Sequence, residues 1–211
     1  MLEIVRMGLE RRDRIAEIWA GAFEQDPLMR WVFPDDAVRL NSLARWWGFS
    51  LDHQPPGSEL HGTRIDGCVA YWQPPQDQKD SSTGSEEVDR GESEGRKAFV
   101  AMMTDLLGDL APSRMEALGQ MHQARLPEPH WYLAVLGTSP DQQSRGHGGR
   151  VLAPMLDRCD RTGQLAYLES SNPANVGFYR RHGFEPVGEF VLGDGVLITP
   201  MAREPRPPQQ R

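Results

Sequence analysis

"DQQSRGHGGR" (residues 141–150) follows an apolar run, "WYLAVLGTSP" (131–140), and precedes "VLAPMLDRCDR" (151–161), whose apolar residues recur at helical spacing. The first run is apolar on both faces, as in a central strand covered by helices on each side. A glycine-rich turn therefore joins a buried strand to a helix. The first turn of such a helix has unpaired backbone N–H groups and a partial positive charge, and bare positions at Gly146, Gly148 and Gly149 would let an anion reach them. Arg145 and Arg150 stand beside it, so a diphosphate is the natural guest. The spacing is not that of a dinucleotide fold, because the third glycine of GxGxxG falls at Val151, and no GxxxxGK[ST] occurs.

Downstream, "LAYLESSNPANVGFYRRHGF" (165–184) reads as strand, turn and helix, with Asn172 as N-cap, Pro173 at the first helical position and Gly183 ending the helix. Asn172, Asn175 and Tyr179 stand at i, i+3 and i+7, along one side of the helix start.

Upstream the pattern is less uniform. "LEIVRM" alternates as a strand, and Ile15, Ile18, Trp19, Ala22 and Phe23 fall at helical spacing. Pro34, Asp35 and Asp36 open a second helix carrying Leu40, Leu43, Trp46, Trp47 and Leu51, ended by "QPPG". Strands at 59–65 and 67–73 turn at Asp66-Gly67. Residues 76–95 hold seven acids, two bases and one aliphatic residue, Val88, so a mobile acidic loop is expected there. It carries −5 of the net −7, leaving the rest close to neutral. Two short helices are expected over 96–123, broken near Gly108 and Pro112, and strands near 184–191 and 195–202. One domain over 1–203 with a disordered tail over 204–211 accounts for the chain.

Composition removes several function classes. The negative balance gives no electrostatic footprint for nucleic acid or an anionic membrane. No run approaches the roughly 18 apolar residues of a membrane span, and no signal-peptide pattern opens the chain, so a cytoplasmic protein is expected. Cys68 and Cys159 lie in no CxxC or Cys/His cluster, and no bound metal is expected.

The motifs "QSRGHG" (Gln143–Gly148) and "NPANVGFYRRHGF" (Asn172–Phe184), in that order, resemble the two signatures of the GNAT acyltransferase superfamily. With "DPLMRW" (26–31), the branch containing puromycin N-acetyltransferase is the most similar. The resemblance implies an α/β fold of mixed α+β type: a central mixed sheet of about seven strands, splayed between the fourth and fifth, with helices on both faces. It implies acetyl-CoA as co-substrate. Leu136, Gly137 and Thr138 would bond its pantetheine arm, Gln143, Ser144, Arg145, Gly146, His147, Gly148 and Gly149 its pyrophosphate, and Asn172, Asn175 and Phe178 would lie along the arm. Tyr179 matches the family's general acid. A phenol with a pKa of about 10 can donate to a thiolate whose conjugate acid lies near roughly 8.5.

The base is open at this level: Glu169, on a strand face with Leu165 and Tyr167, is either catalytic or a structural, acceptor-anchoring carboxylate, and His122 and His130 follow it. Asp26 and Trp31 suit an acceptor-side wall, and Trp46-Trp47 the core. The activity implied is N-acetylation of a small-molecule amine by a monomer or homodimer. A non-enzymatic acyl-CoA-binding module, or an acetyltransferase for protein or peptide amines, is the alternative.

Overall fold

The computed structural model describes residues 3–65, 67–76 and 86–206. Asp66 of the expected turn, residues 77–85 of the acidic stretch and residues 207–211 of the tail lie outside the described residues. Strands β1 (Ile4–Met7), β2 (Glu59–Thr63), β3 (Cys68–Gln73), β4 (His130–Thr138), β5 (Leu165–Ser170), β6 (Glu185–Pro186), β7 (Phe190–Leu192) and β8 (Val196–Arg203) form a mixed sheet. Its order is β1-β2-β3-β4-β5-β8-β6, with β7 paired to β8. The β4–β5 pair is parallel, and the other pairs are antiparallel. The fold class read from the sequence is the one observed, with the last two expected strands resolved into three.

β3 explains why there are two cores. Cys68 to Trp72 are all buried, and they divide by alternation: Val69 and Tyr71 join the core beneath α1 (Arg12–Phe23) and α3 (Arg39–Asp52), while Cys68, Ala70 and Trp72 join that beneath α6 (His147–Thr162). Each covering helix supplies an apolar stripe: Ile15, Ile18 and Trp19 from α1, and Val151, Leu152, Met155, Leu156 and Cys159 from α6. Trp19 is fully buried, and its indole N–H donates to the Val69 carbonyl at 3.1 Å, which removes the penalty of an orphan donor. Trp47 packs edge-on to Trp19 and Trp46, so the tryptophan pair belongs to the core.

Three expectations need correction. A short helix α2 (Pro27–Val32) follows α1, because Asp26 caps it and Pro27 occupies its first turn, an N-terminal signal that outweighs the helix's shortness. Helix α3 starts at Arg39, several residues after Pro34; the Asp35 side chain instead accepts the Ala37 N–H (2.9 Å) in a turn. Helix α4 (Glu86–Leu107) reaches back into the acidic stretch, where a loop was expected. α5 (Ala111–Gln123) follows after the break expected near Gly108.

Candidate active site

β4 and β5 pair only through His130↔Leu165, Trp131↔Ala166 and Tyr132↔Tyr167. Beyond Tyr132 they part, while β4 stays bonded to β3 as far as Cys68↔Thr138 and β5 stays bonded to β8 as far as Ser170↔Thr199. A register shift opposite Tyr71/Trp72 leaves Ala134 as the extra residue of a bulge, which bends β4 at the point where the strands diverge. The β5-facing backbone of Leu136, Gly137 and Thr138 is thus a strand edge inside a sheet. Buried peptide groups of that kind need a partner, so the gap is suited to an extended chain carrying amides.

At the open end of this V, β4 runs into the glycine turn. Ser144 (φ +62°) and Gly146 (φ +74°) are left-handed, and the reversal of direction depends on them. α6 then starts at His147 with no side-chain cap, which leaves its first N–H groups for a ligand. The predicted side chains around it are partly occupied: Gln143 Nε2 donates to the Thr138 carbonyl (3.2 Å) and Arg145 Nη2 to that of Asp141 (3.0 Å). His147 is buried with both ring nitrogens unpartnered, so it offers the turn its backbone N–H.

The glycines divide between two tasks. A Cβ on Gly146 would meet nothing within 4 Å, but one on Gly148 would lie 3.2 Å from Phe178 Cζ and one on Gly149 2.7 Å from His182 Cε1. Gly148 and Gly149 therefore admit rings of α7 (Pro173–Arg181) and of its C-cap His182, a need the sequence pattern did not separate from anion binding.

α7 is fixed as its sequence requires. Asn172 Oδ1 accepts the Ala174 N–H (3.0 Å), Ser170 Oγ donates to the Asn172 carbonyl (3.0 Å), and Gly183 ends the helix at φ +90°. Asn175 lies exposed one turn on, and Phe178 and Tyr179 turn inward, their rings edge-on at 5.1 Å. Burial pushes the Tyr179 phenol up, and the nearby Asp26 carboxylate and Cys68 thiol push it the same way. Asp26 is itself buried, and that burial raises its carboxyl even though Ser171 Oγ (2.8 Å) and the N–H groups of Leu28 (3.0 Å) and Met29 (3.3 Å) donate to it. The α1–α2 junction thus brings a carboxylate to Tyr179. Sequence reasoning placed Asp26 on a wall; its burial and its bond to Ser171 across 145 residues exist only in the folded chain.

Glu169 occupies a different setting. Its side chain is 1% exposed and accepts from Tyr132 Oη (2.7 Å), Arg125 Nε (3.2 Å) and, more distantly, Tyr167 Oη (3.4 Å). His122 and His130 border the same cluster. Trp31 lies beneath the Arg114 guanidinium (3.8 Å to the ring centroid) and against Gly193 of the β7–β8 turn. Among the described residues no group of three or more His, Cys, Asp or Glu side chains comes together, and no helix is long and apolar enough to cross a membrane.

Comparison with known proteins adds to this geometry. Residues 113–205 match the acetyltransferase (GNAT) domain family. An uncharacterized N-acetyltransferase of Schizosaccharomyces pombe is 30% identical over 117 residues, 54% of this chain and 44% of that protein, so the chain spans less than half of that relative's length. Among solved structures, "histone acetyltransferase HPA2 and related acetyltransferase" from Corynebacterium glutamicum is similar at TM-score 0.71 and 19% identity over 100% of both chains. Arylalkylamine N-acetyltransferase 2 from Aedes aegypti is similar at TM-score 0.59 and 11% identity, over 97% of this chain and 99% of that one. At such identities the likeness is one of fold. The domain match is confined to residues 113–205, and the fold of the whole chain is shared with acetyltransferases of known structure.

Proposed function

We propose, for a chain with a GNAT acetyltransferase fold and domain signature, an acetyl-CoA-dependent N-acetyltransferase acting on a small-molecule amine. The observation that carries this reading is the unpaired edge of β4 leading from an uncapped α6 to a buried phenol beside a buried carboxylate. The residues present fit the co-substrate: Leu136, Gly137 and Thr138 would bond its amide arm, and the turn from Gln143 to Gly149, through its backbone, would hold its diphosphate. Acetyl-CoA supplies the activated acyl group as a thioester. Asn172, already used as a cap, and Asn175 and Phe178 would flank the arm.

Within that frame Tyr179 holds a proton at Oη, and its raised pKa keeps the proton in place at neutral pH until a departing thiolate needs it. Asp26 is the base in this reading, because it is the carboxylate beside Tyr179 and its raised pKa brings its basicity toward the working pH. Ser171, bonded to Asp26, is placed to pass a proton to it. Glu169, tied to an arginine and two phenols, keeps the apex of the V ordered.

The names of the structural neighbours point to both protein and arylalkylamine acceptors. A small acceptor is favoured because Trp31 of α2, expected on the acceptor-side wall, lies between Arg114 of α5 and Gly193 of the β7–β8 turn and would narrow an approach there. The resemblance to the puromycin-acetylating branch makes puromycin one member of the panel to test. Incubation with labelled acetyl-CoA and a set of amines should give transfer to at least one. Tyr179→Phe should lower that transfer by about 100-fold with acetyl-CoA affinity kept. Full affinity with no turnover on any amine would leave a binding module instead.

A further inference from the structure

The amino-terminal end of β4 carries a feature that acetyl transfer does not use. On the sheet face away from α6, a cavity of about 120 Å3 opens among Gln73, His122, Arg125, Glu128, His130 and Tyr132. Arg125 is held in place from behind. Its guanidinium carbon lies over the Tyr132 ring, 3.7 Å from the centroid, and its Nε donates to Glu169 (3.2 Å). Both Nη groups donate to no protein acceptor among the described residues, although the side chain is only 21% exposed. A fixed pair of parallel donors at a cavity is the geometry that takes two oxygens of one planar anion.

The neighbouring groups complete the case. His130 Nδ1 lies 2.7 Å from the Glu128 carbonyl, so its N–H points there and Nε2 is left to gain a proton. Burial, and after it the charge of Arg125, holds His122 below its ordinary pKa, and the same two causes act on His130 against the partial opposition of Glu128. The charged groups facing the cavity are therefore Arg125 and the Glu128 carboxylate, with Glu169, Tyr132 and Tyr167 behind Arg125 and two neutral imidazoles beside it. An added anion would offset the part of that suppression that Arg125 causes and favour a proton on each imidazole. Protons taken up by His122 and His130 would then balance it.

We propose that this cavity is a carboxylate-binding pocket, in which Arg125 Nη1 and Nη2 take the two oxygens and His122 and His130 flank them. The pocket backs onto the apex of the V, because Tyr132 is the last residue of β4 to pair with β5 and Glu169 follows two residues after its partner Tyr167. The carboxylate is either the far end of an acceptor amine or a free acid, and the two arms of the test separate these.

Propionate is titrated onto the full chain while the histidine ring resonances are followed over about pH 5–8. The midpoints of His122 and His130 should move upward, and those of the other four histidines should stay. Arg125→Lys keeps a charge beside Glu169 but loses the fork, and should weaken propionate about tenfold. His122→Ala, at a solvent-reached position whose ring is only partly covered, should remove one of the two proton uptakes with the fold intact. Unmoved midpoints for both histidines, or a propionate response unchanged in Arg125→Lys, would overturn the proposal. In the second arm, γ-aminobutyrate and butylamine are compared as acceptors. A lower KM for the former that disappears in Arg125→Lys assigns the carboxylate to the acceptor, and equal KM values with propionate binding retained assign it to a free acid. Only this arm rests on the transferase reading, so an absence of turnover on both amines leaves the resonance result to decide the pocket by itself.

Discussion

Two buried carboxylates with similar numbers of donors can be told apart by what else they face. Burial raises the Asp26 carboxyl, which lies beside Tyr179, whereas Glu169 is ion-paired with Arg125. Asp26→Asn should therefore abolish the acidic limb of the kcat/KM profile and cut transfer about 100-fold, whereas Glu169→Gln should keep the limb. The stability consequence has a definite sign. In the folded chain Asp26 keeps its proton to higher pH than in the unfolded one, so its contribution is greatest below the ordinary carboxylate pKa and declines as pH rises through the raised value. Denaturant midpoints measured across that interval should lose this decline in Asp26→Asn. Glu169→Gln should instead cost about 3 kcal/mol at neutral pH, because it leaves the Arg125 charge without its counter-ion. The candidate acid Tyr179 was visible as a motif position, and Glu169 as an acid on an apolar strand face. The distinction between the two carboxylates was not, because the residue that couples Asp26 to the site, Ser171, lies in another third of the chain.

At the scale of elements, the glycine turn holds two functions that one motif letter conceals. Gly146 gives a left-handed residue in open space, and Gly149 gives room for His182. Gly149→Ala must push that ring aside, so thermal or denaturant unfolding should register a loss of about 1–3 kcal/mol through weakened packing of α6 on α7. Gly146→Ala meets no neighbour and should cost roughly 1–2 kcal/mol for its left-handed backbone alone. If the larger loss fell on Gly146→Ala, the division of tasks would be wrong. The caps were legible in the same way: Asn172-Pro173 was read correctly from residue type. Asp26-Pro27, the same signal, went unread because the helix it starts is only six residues long. Periodicity needs more than two turns to show itself, so α2 left no pattern to find.

Over the whole molecule, two cores hold the sheet from opposite sides, and the V between β4 and β5 is a gap in the sheet itself. A ligand that bridges the gap binds only the folded chain, so it must stabilise it. Acetyl-CoA at about 100 times its Kd should add roughly 2.7 kcal/mol and raise Tm by about 5–10 °C, a shift that calorimetry resolves. No shift at that concentration would remove the proposed cleft. Sequence alone determined the layered α/β class, the buried central strands, the glycine turn and the capped helix carrying Tyr179, because each rests on residues close together in the chain whose spacing or type has a local physical meaning. Tertiary structure alone decided where β4 and β5 part, which glycines face rings, which carboxylate meets Tyr179 and how Arg125 is pinned. Those depend on strand register and on pairs such as Asp26–Ser171 and Arg125–Glu169, whose partners are brought together by the folding of the sheet and leave no periodic trace in the chain.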